Sequence, residues 1–201
     1  MKTFKVDFIS GLVALTVLFG FCLCILTHLK DEYVDGNNHI YYNQALAFDC
    51  YPNKLSELSP RASYLNTKQY LTPTAKIVIE GMIDDAEKNG MCLVVMSSYR
   101  SNEQQQKIYN ESQDKTLVAL PGRSEHQTGM AVDFGACPTK RGIRDDSGNR
   151  LELKNDFETL PEYQWLLNNA SKYNFEQSFT KENQDITGFP AESWHWKFII
   201  E

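Results

Sequence analysis

Two short stretches in the C-terminal half of this chain hold half of its four histidines and place the strictest demand on its fold. One is residues 124–133, SEHQTGMAVD; the other is residues 192–195, ESWH. His126, Asp133 and His195 carry donor atoms of the kind that hold a metal ion, and Glu192 adds a carboxylate close to the last of them. These groups can act together only if the fold gathers them at one place.

Local patterning indicates how each is presented. Residues 129–135 alternate as a strand does, with Met130, Val132 and Phe134 on one face and Gly129, Ala131, Asp133 and Gly135 on the other. The small neighbours of Asp133 leave room on its face for a metal and a substrate. His126 has the wrong parity to share that face on a straight strand, so the chain must bend between them, and Gly129 is the residue built for it. Trp194, Trp196 and Phe198 alternate against His195, Lys197 and Ile199 in a closing strand, with the two tryptophans read as core. Glu192 and His195 would point oppositely on that strand, which puts Glu192 on a preceding turn signalled by Pro190.

Upstream, residues 74–88 predict a helix capped by Thr74, with Ile79, Met82, Ile83 and Ala86 on its apolar face and Gly90 as its stop. Residues 92–96 read as a buried strand. Ser101 and Gln104 form a capping box that opens a helix through about residue 111. Arg100 therefore sits at a strand-to-helix junction, where a side chain is aimed. Residues 161–173 predict a further helix, with Pro161 in its first turn, Tyr163, Leu166, Leu167, Ala170 and Tyr173 on one face and Asn174 ending it.

The 201 residues suffice for one domain plus an appendage, and a net charge of −6 with no basic stripe excludes nucleic acid as an expected partner. Residues 8–26 contain no charge and are long enough to span a bilayer. Lys2 and Lys5 precede them, which favours a cytoplasmic N-terminus and an external remainder. No small-x-small site follows that would mark a cleaved signal peptide, and bulky Phe21 before Cys22 disfavours lipidation. The expectation is a single-pass anchor (a helix over about 8–29 within residues 1–30), a stalk over 31–46 with a turn at residues 35–38, and a folded domain over 47–201. Of five cysteines, Cys22 and Cys24 lie in the anchor. Cys92, in an apolar run, reads as a buried free thiol; a bridge between Cys50 and Cys137 is one option in a compartment where disulfides persist, and the sequence alone leaves it open.

Zinc takes nitrogen and oxygen donors in a near-tetrahedral set, and catalytic sites keep one position open for water. His126, Asp133 and His195 supply three donors, with His28 and His39 left to the anchor and stalk. Glu192 can reach a water at the open position and serve as general base and then as acid to a leaving amine. Arg100 can meet developing negative charge on a carbonyl oxygen or hold a substrate carboxylate. The helical His-Glu-x-x-His arrangement is absent, which excludes proteases of that class.

Ser-x-His-x-x-Gly-x-Ala-x-Asp followed by Glu-x-x-Trp-His resembles the zinc D-alanyl-D-alanine carboxypeptidases of the VanY type, within the wider lysostaphin, D-Ala-D-Ala metallopeptidase and hedgehog fold group. Asn53-Lys54, Ser98-Tyr99-Arg100-Ser101, Pro121-Gly122, Trp165-Leu166 and Ile186-Thr187-Gly188 also fall where that family has similar residues. The resemblance covers about residues 47–201. It implies an α+β domain with a central antiparallel sheet flanked by helices and one zinc per chain. It implies His126, Asp133 and His195 as ligands, Glu192 as base and Arg100 as the group that stabilises oxyanion and substrate. Gln105 and Ser124 match positions that contact substrate. Three residues depart from the family pattern: Ser98 and Asn174 stand where glycine is usual, and Ser193 where proline is common.

The expected activity is removal of terminal D-Ala from peptidoglycan stem peptides or precursors, outside the cytoplasmic membrane of a bacterium, with a role in glycopeptide resistance implied by the resemblance. The rival enzyme reading is an L,D-carboxypeptidase trimming tetrapeptide stems. A dipeptidase suits this exported chain less well, because dipeptides are a cytoplasmic substrate. A non-catalytic zinc or peptidoglycan-binding module is a rival of another class; such a module has no use for Glu192.

Overall fold

The computed structural model describes residues 29–34, 40–45, 52–137 and 157–199. The expected membrane segment, the start of the folded domain near residue 47 and Cys50 lie outside these residues. Among them, no helix is long and apolar enough to cross a membrane. β1 (Leu29–Val34), which begins at the end of the expected anchor, and β2 (Ile40–Ala45), in the expected stalk, pair antiparallel, an element the sequence did not reveal.

The centre is a four-stranded antiparallel sheet. It contains β5 (Leu93–Ser97), β6 (Ala131–Ala136), β7 (Phe175–Gln177) and β8 (His195–Phe198), in the order β5-β6-β8-β7. A small pair, β3 (Ser56–Glu57) and β4 (Tyr70–Leu71), precedes it. This is the expected α+β architecture. The sheet divides its two faces by parity. Val132 and Phe134 of β6, Leu93 and Val95 of β5, and Trp196 of β8 enter one hydrophobic core. That core is covered by α1 (Pro73–Lys88) and α3 (Pro161–Asn169), whose buried residues include Ile79, Met82, Trp165 and Leu166. Burying each large apolar side chain contributes roughly 1.5–3 kcal/mol, so this face supplies the rigidity on which the other depends.

The opposite face is where chemistry is placed. Ser97, Asp133 and His195 lie side by side across β5, β6 and β8 in register. Residues directly opposite on antiparallel strands project to the same face, so the sheet itself brings Asp133 and His195 together. Gly135 does not contribute space there as the alternation suggested. A Cβ at that position would lie 2.8 Å from Met96 Cγ, because the ladder is irregular between Val95 and Ser97 and Met96 packs over the glycine.

Helix α1 begins at Pro73 with Thr72 at its cap position, not Thr74, because proline is best placed in the first turn. The capping box of Ser101 and Gln104 opens α2 (Asn102–Glu111) as expected. Helix α3 tightens into a 3-10 turn over Ala170–Tyr173, and Asn174 ends it in the left-handed region at φ 54°. Leu167, assigned to the apolar face, is exposed instead. A short helix α4 (Gln184–Thr187) precedes β8.

The cysteine reading is corrected. Cys92 is no free thiol, and Cys137 pairs with it, not with Cys50. The two cysteines extend the β5–β6 ladder by one step beyond Leu93 and Ala136, and Cys137 N–H donates to Cys92 O at 3.0 Å. Their Cα atoms are 5.4 Å apart, within disulfide range. The closed loop, spanning a sequence separation of 45, contains Arg100, His126 and Asp133. A loop of that size lowers the entropy of the unfolded chain by an amount equivalent to about 4 kcal/mol in the chain-entropy treatment.

Candidate active site

Asp133 is the meeting point. Its carboxylate is buried on β6, with Oδ1 3.1 Å from His195 Nδ1 and 3.3 Å from His126 Nε2. Oδ2 accepts from Arg100 Nη2 at 3.1 Å. Four segments of chain thus supply one cluster. Candidate donor atoms of His126, Asp133 and His195 all lie within 4.8 Å of one another.

His126 reaches the cluster through the expected bend. It sits on a 3-10 turn, Glu125–Thr128, that Gly129 closes at φ 68° before β6 begins. A Cβ at Gly129 would lie 3.1 Å from Leu55 and 3.3 Å from Pro52, so space as well as conformation selects glycine. His126 Nδ1 is 2.7 Å from the carbonyl oxygen of Ser98, which can only accept, so Nδ1 carries the proton. Nε2 is left as a buried lone pair with no hydrogen-bond partner among the described residues. An orphaned imidazole nitrogen beside a carboxylate, with a second imidazole ring centroid 4.9 Å away, fits a metal ion of nitrogen and oxygen preference.

The two glutamates of the motifs take opposite edges of the His195 ring. Glu192 lies on the turn before β8, as expected, with Oε2 4.0 Å from Nδ1 on the Asp133 side. Glu125, which the sequence reading passed over, places Oε2 2.9 Å from Nε2 on the far side. Its position inside the first motif was visible, but the groups that engage it are distant in sequence. They are Ser178, whose hydroxyl donates at 2.5 Å, and Lys197, whose ammonium donates at 3.1 Å.

Arg100 is aimed from the β5–α2 junction, as its position implied. Its Nε donates to Ser97 Oγ at 3.2 Å and its Nη1 to Gln105 Oε1 at 3.1 Å. Gln105 is buried and its Nε2 donates to Ala119 O at 2.8 Å, so both ends of this amide are engaged inside the protein and it braces Arg100. Arg100, Gln105, Ser124, Glu192 and the metal-type cluster line a cleft of about 260 Å³. Ile108, Leu117, Val118, Phe179 and Phe189 give it an apolar wall, and Phe179 packs 5.0 Å from the His195 ring centre. The departures at 98 and 193 do not reach this cleft. Ser98 Oγ donates to Gln69 and accepts from Tyr70 N–H. Ser193 is buried with its carbonyl accepting from Trp196 Nε1.

Burial presses the His126 pKa down to about 4, reinforced by Arg100 and opposed by Asp133. Burial acts the same way on His195 but is outweighed by hydrogen bonds to Asp133 and Glu125, which raise it to about 9. Asp133 stays well below the usual carboxylate range, because His126, His195 and Arg100 overcome its burial.

Comparison with known proteins gives a consistent set of likenesses. A family model described as VanY, D-alanyl-D-alanine carboxypeptidase, matches residues 68–201. A D-alanyl-D-alanine carboxypeptidase of Enterococcus faecalis is 30% identical over 137 residues, covering 60% of this chain and 45% of that protein. The chain spans about half the length of the curated relatives it matches. Among solved structures, the LD-carboxypeptidase LdcB superposes with a TM-score of 0.60 at 28% identity, over 74% of this chain and 69% of that one. A variant of the vancomycin-resistance D,D-pentapeptidase VanY from a VanB-type cassette, in complex with Zn(II), superposes with a TM-score of 0.56 at 26% identity, over 75% and 80%.

The titration pattern has a measurable consequence. At pH 7 in the metal-free protein, His126 is neutral and His195 carries an extra proton. A metal must displace that proton, so binding at pH 7 releases about one proton, and release fades as pH rises through about 9. The same raised pKa stabilises the metal-free fold fully below the unfolded value near 6.5, and that stabilisation is lost as pH rises through about 9. Calorimetric titration in buffers of different ionisation enthalpy measures the release; none at pH 7 contradicts this electrostatic picture.

Proposed function

The chain belongs to the VanY family of D-alanyl-D-alanine carboxypeptidases, and from that membership we propose that it is a zinc-dependent D,D-carboxypeptidase that removes the terminal D-Ala from peptidoglycan stem peptides or their precursors. One observation carries the reading. The Nε2 of His126 and the Nδ1 of His195 converge on Asp133 Oδ1, with the Glu192 carboxylate on the same edge of the His195 ring.

His126, Asp133 and His195 are the residues that would hold the ion. Bound there, zinc supplies a Lewis acid for the scissile carbonyl and lowers the pKa of water. Asp133 divides its two oxygens between these roles: Oδ1 faces the histidines, and Oδ2 is tied to Arg100. Arg100, braced by Ser97 and Gln105, offers a fixed positive charge at the cleft to the oxyanion that develops on the carbonyl oxygen or to the substrate carboxylate. Glu192 takes the proton of the attacking water and returns it to the leaving amine. Ser124 lines the cleft at the turn before His126, where a substrate backbone can meet it, and Gln105 acts on substrate through Arg100.

The expected placement is single-pass, anchored through residues 8–26 in the cytoplasmic membrane of a bacterium, with the folded part outside. The uncharged segment supports it, and so does the Cys92–Cys137 disulfide, since such bonds persist in oxidising compartments. A resistance role follows from the same chemistry, because trimming D-Ala-D-Ala removes a terminus. Protease added to intact cells should remove the domain; full protection rejects the outside placement.

The activity is tested by incubating the purified protein with pentapeptide and tetrapeptide stems and identifying the released amino acid by mass. Release of D-Ala from the pentapeptide alone, abolished by a chelator and restored by zinc, is the expected result. Release only from the tetrapeptide establishes the L,D activity instead, and chelator-resistant turnover rejects the metal mechanism. Glu192→Ala should retain zinc and lose roughly 10²–10⁴-fold in rate; near-normal turnover by the zinc-loaded variant removes Glu192 from the role of base.

A further inference from the structure

The His195 ring is held from both sides by carboxylates, and the two sides are chemically different. On one edge, Nδ1 faces Asp133 at 3.1 Å and Glu192 at 4.0 Å. On the other, Nε2 faces Glu125 Oε2 at 2.9 Å. A neutral imidazole that gives one nitrogen to a metal keeps its proton on the other. With Nδ1 turned into the cluster, that proton is on Nε2 and is donated to Glu125.

Glu125 is built for this contact. Its Oε2 also accepts from the Ser178 hydroxyl, and its Oε1 from Lys197 Nζ. Lys197 and His195 are two apart on β8 and so share a face, and both converge on the same carboxylate. Ser178 is tied to β8 in turn, because its N–H donates to the carbonyl of His195 at 3.3 Å. Both Glu125 oxygens are thereby engaged by donors, whereas a proton-shuttling group must exchange partners during turnover. The arrangement mirrors that of His126, whose Nδ1 is fixed by the Ser98 carbonyl. One ring is oriented by a backbone oxygen and the other by a charged side chain.

We propose that Glu125, held by Lys197 and Ser178, is a positioning residue that fixes the orientation and tautomer of His195 so that Nδ1 is presented to the metal. The proposal rests on the zinc reading of the site and extends it to a residue outside the ligand set. Outer partners of metal-bound histidines raise ligand basicity, and their loss typically costs 10–100-fold in metal affinity or activity.

The test is zinc affinity of the purified full-length chain, measured by competition with a chromogenic chelator, together with the visible spectrum of the Co(II)-substituted protein. Glu125→Ala is expected to weaken zinc binding by roughly 10–100-fold and to shift the Co(II) bands. Glu125→Gln, whose amide oxygen still accepts from Nε2–H, should recover most of that loss. A generic packing defect would not follow this order. If Glu125→Ala fails to fold, Lys197→Met loosens the same carboxylate from the opposite end and should weaken zinc binding several-fold. Wild-type affinity and an unchanged Co(II) spectrum in the folded variants overturn the role of Glu125 while leaving the zinc site intact. A wild-type protein that binds no zinc overturns the metal reading and this inference with it.

Discussion

A single buried carboxylate organises the functional half of this protein. Asp133 faces two imidazoles with one oxygen and a guanidinium with the other. An ionised carboxylate with almost no solvent exposure is untenable alone, and its partners make it tenable. Those partners come from the β5–α2 junction, the turn before β6, and β8. The position of Asp133 on the middle of three paired strands is what brings them within reach. The disulfide at the far end of the β5–β6 ladder and the packed core beneath hold that geometry.

The same arrangement separates two glutamates that look equivalent in the sequence. Each is near a histidine of a motif, but the His195 ring stands between them. Both line the cleft, but Glu192 is on the edge of the ring that faces Asp133 and the cluster. Glu125 is on the side of Ser178 and Lys197, where its oxygens are occupied. The roles proposed for them, base for Glu192 and positioning for Glu125, divide by which edge of one ring each carboxylate meets.

Much of this was legible in the sequence because it is encoded locally. The bend at Gly129, the turn that carries Glu192, the capping box after Arg100 and the strand parity of residues 195–198 each depend on a few neighbouring residues, and the structure shows all of them, with Trp194 left on the turn before β8. What the sequence hid depends on pairing between distant strands. Cys92 and Cys137 meet only because β5 and β6 run antiparallel in one particular register. Gly135 appeared to offer space, which Met96 of the neighbouring strand fills. Glu125 shows its importance only once Ser178 and Lys197 are brought to it. Leu167 lies within α3 and is exposed while Leu166 beside it and Ala170 are buried, so the apolar stripe facing the core is narrower than the residue pattern over 161–173 implied.

The central claim, that His126, Asp133 and His195 form one zinc centre with His195 turned outward toward Glu125, is tested most directly by a crystal structure of the zinc-loaded protein with anomalous data collected across the zinc edge. The account predicts one anomalous peak per chain, about 2.0–2.1 Å from both His126 Nε2 and His195 Nδ1 and bonded to an Asp133 oxygen. A peak that coordinates His195 through Nε2, a peak that recruits Glu125 as a ligand, or no peak at the cluster would contradict it.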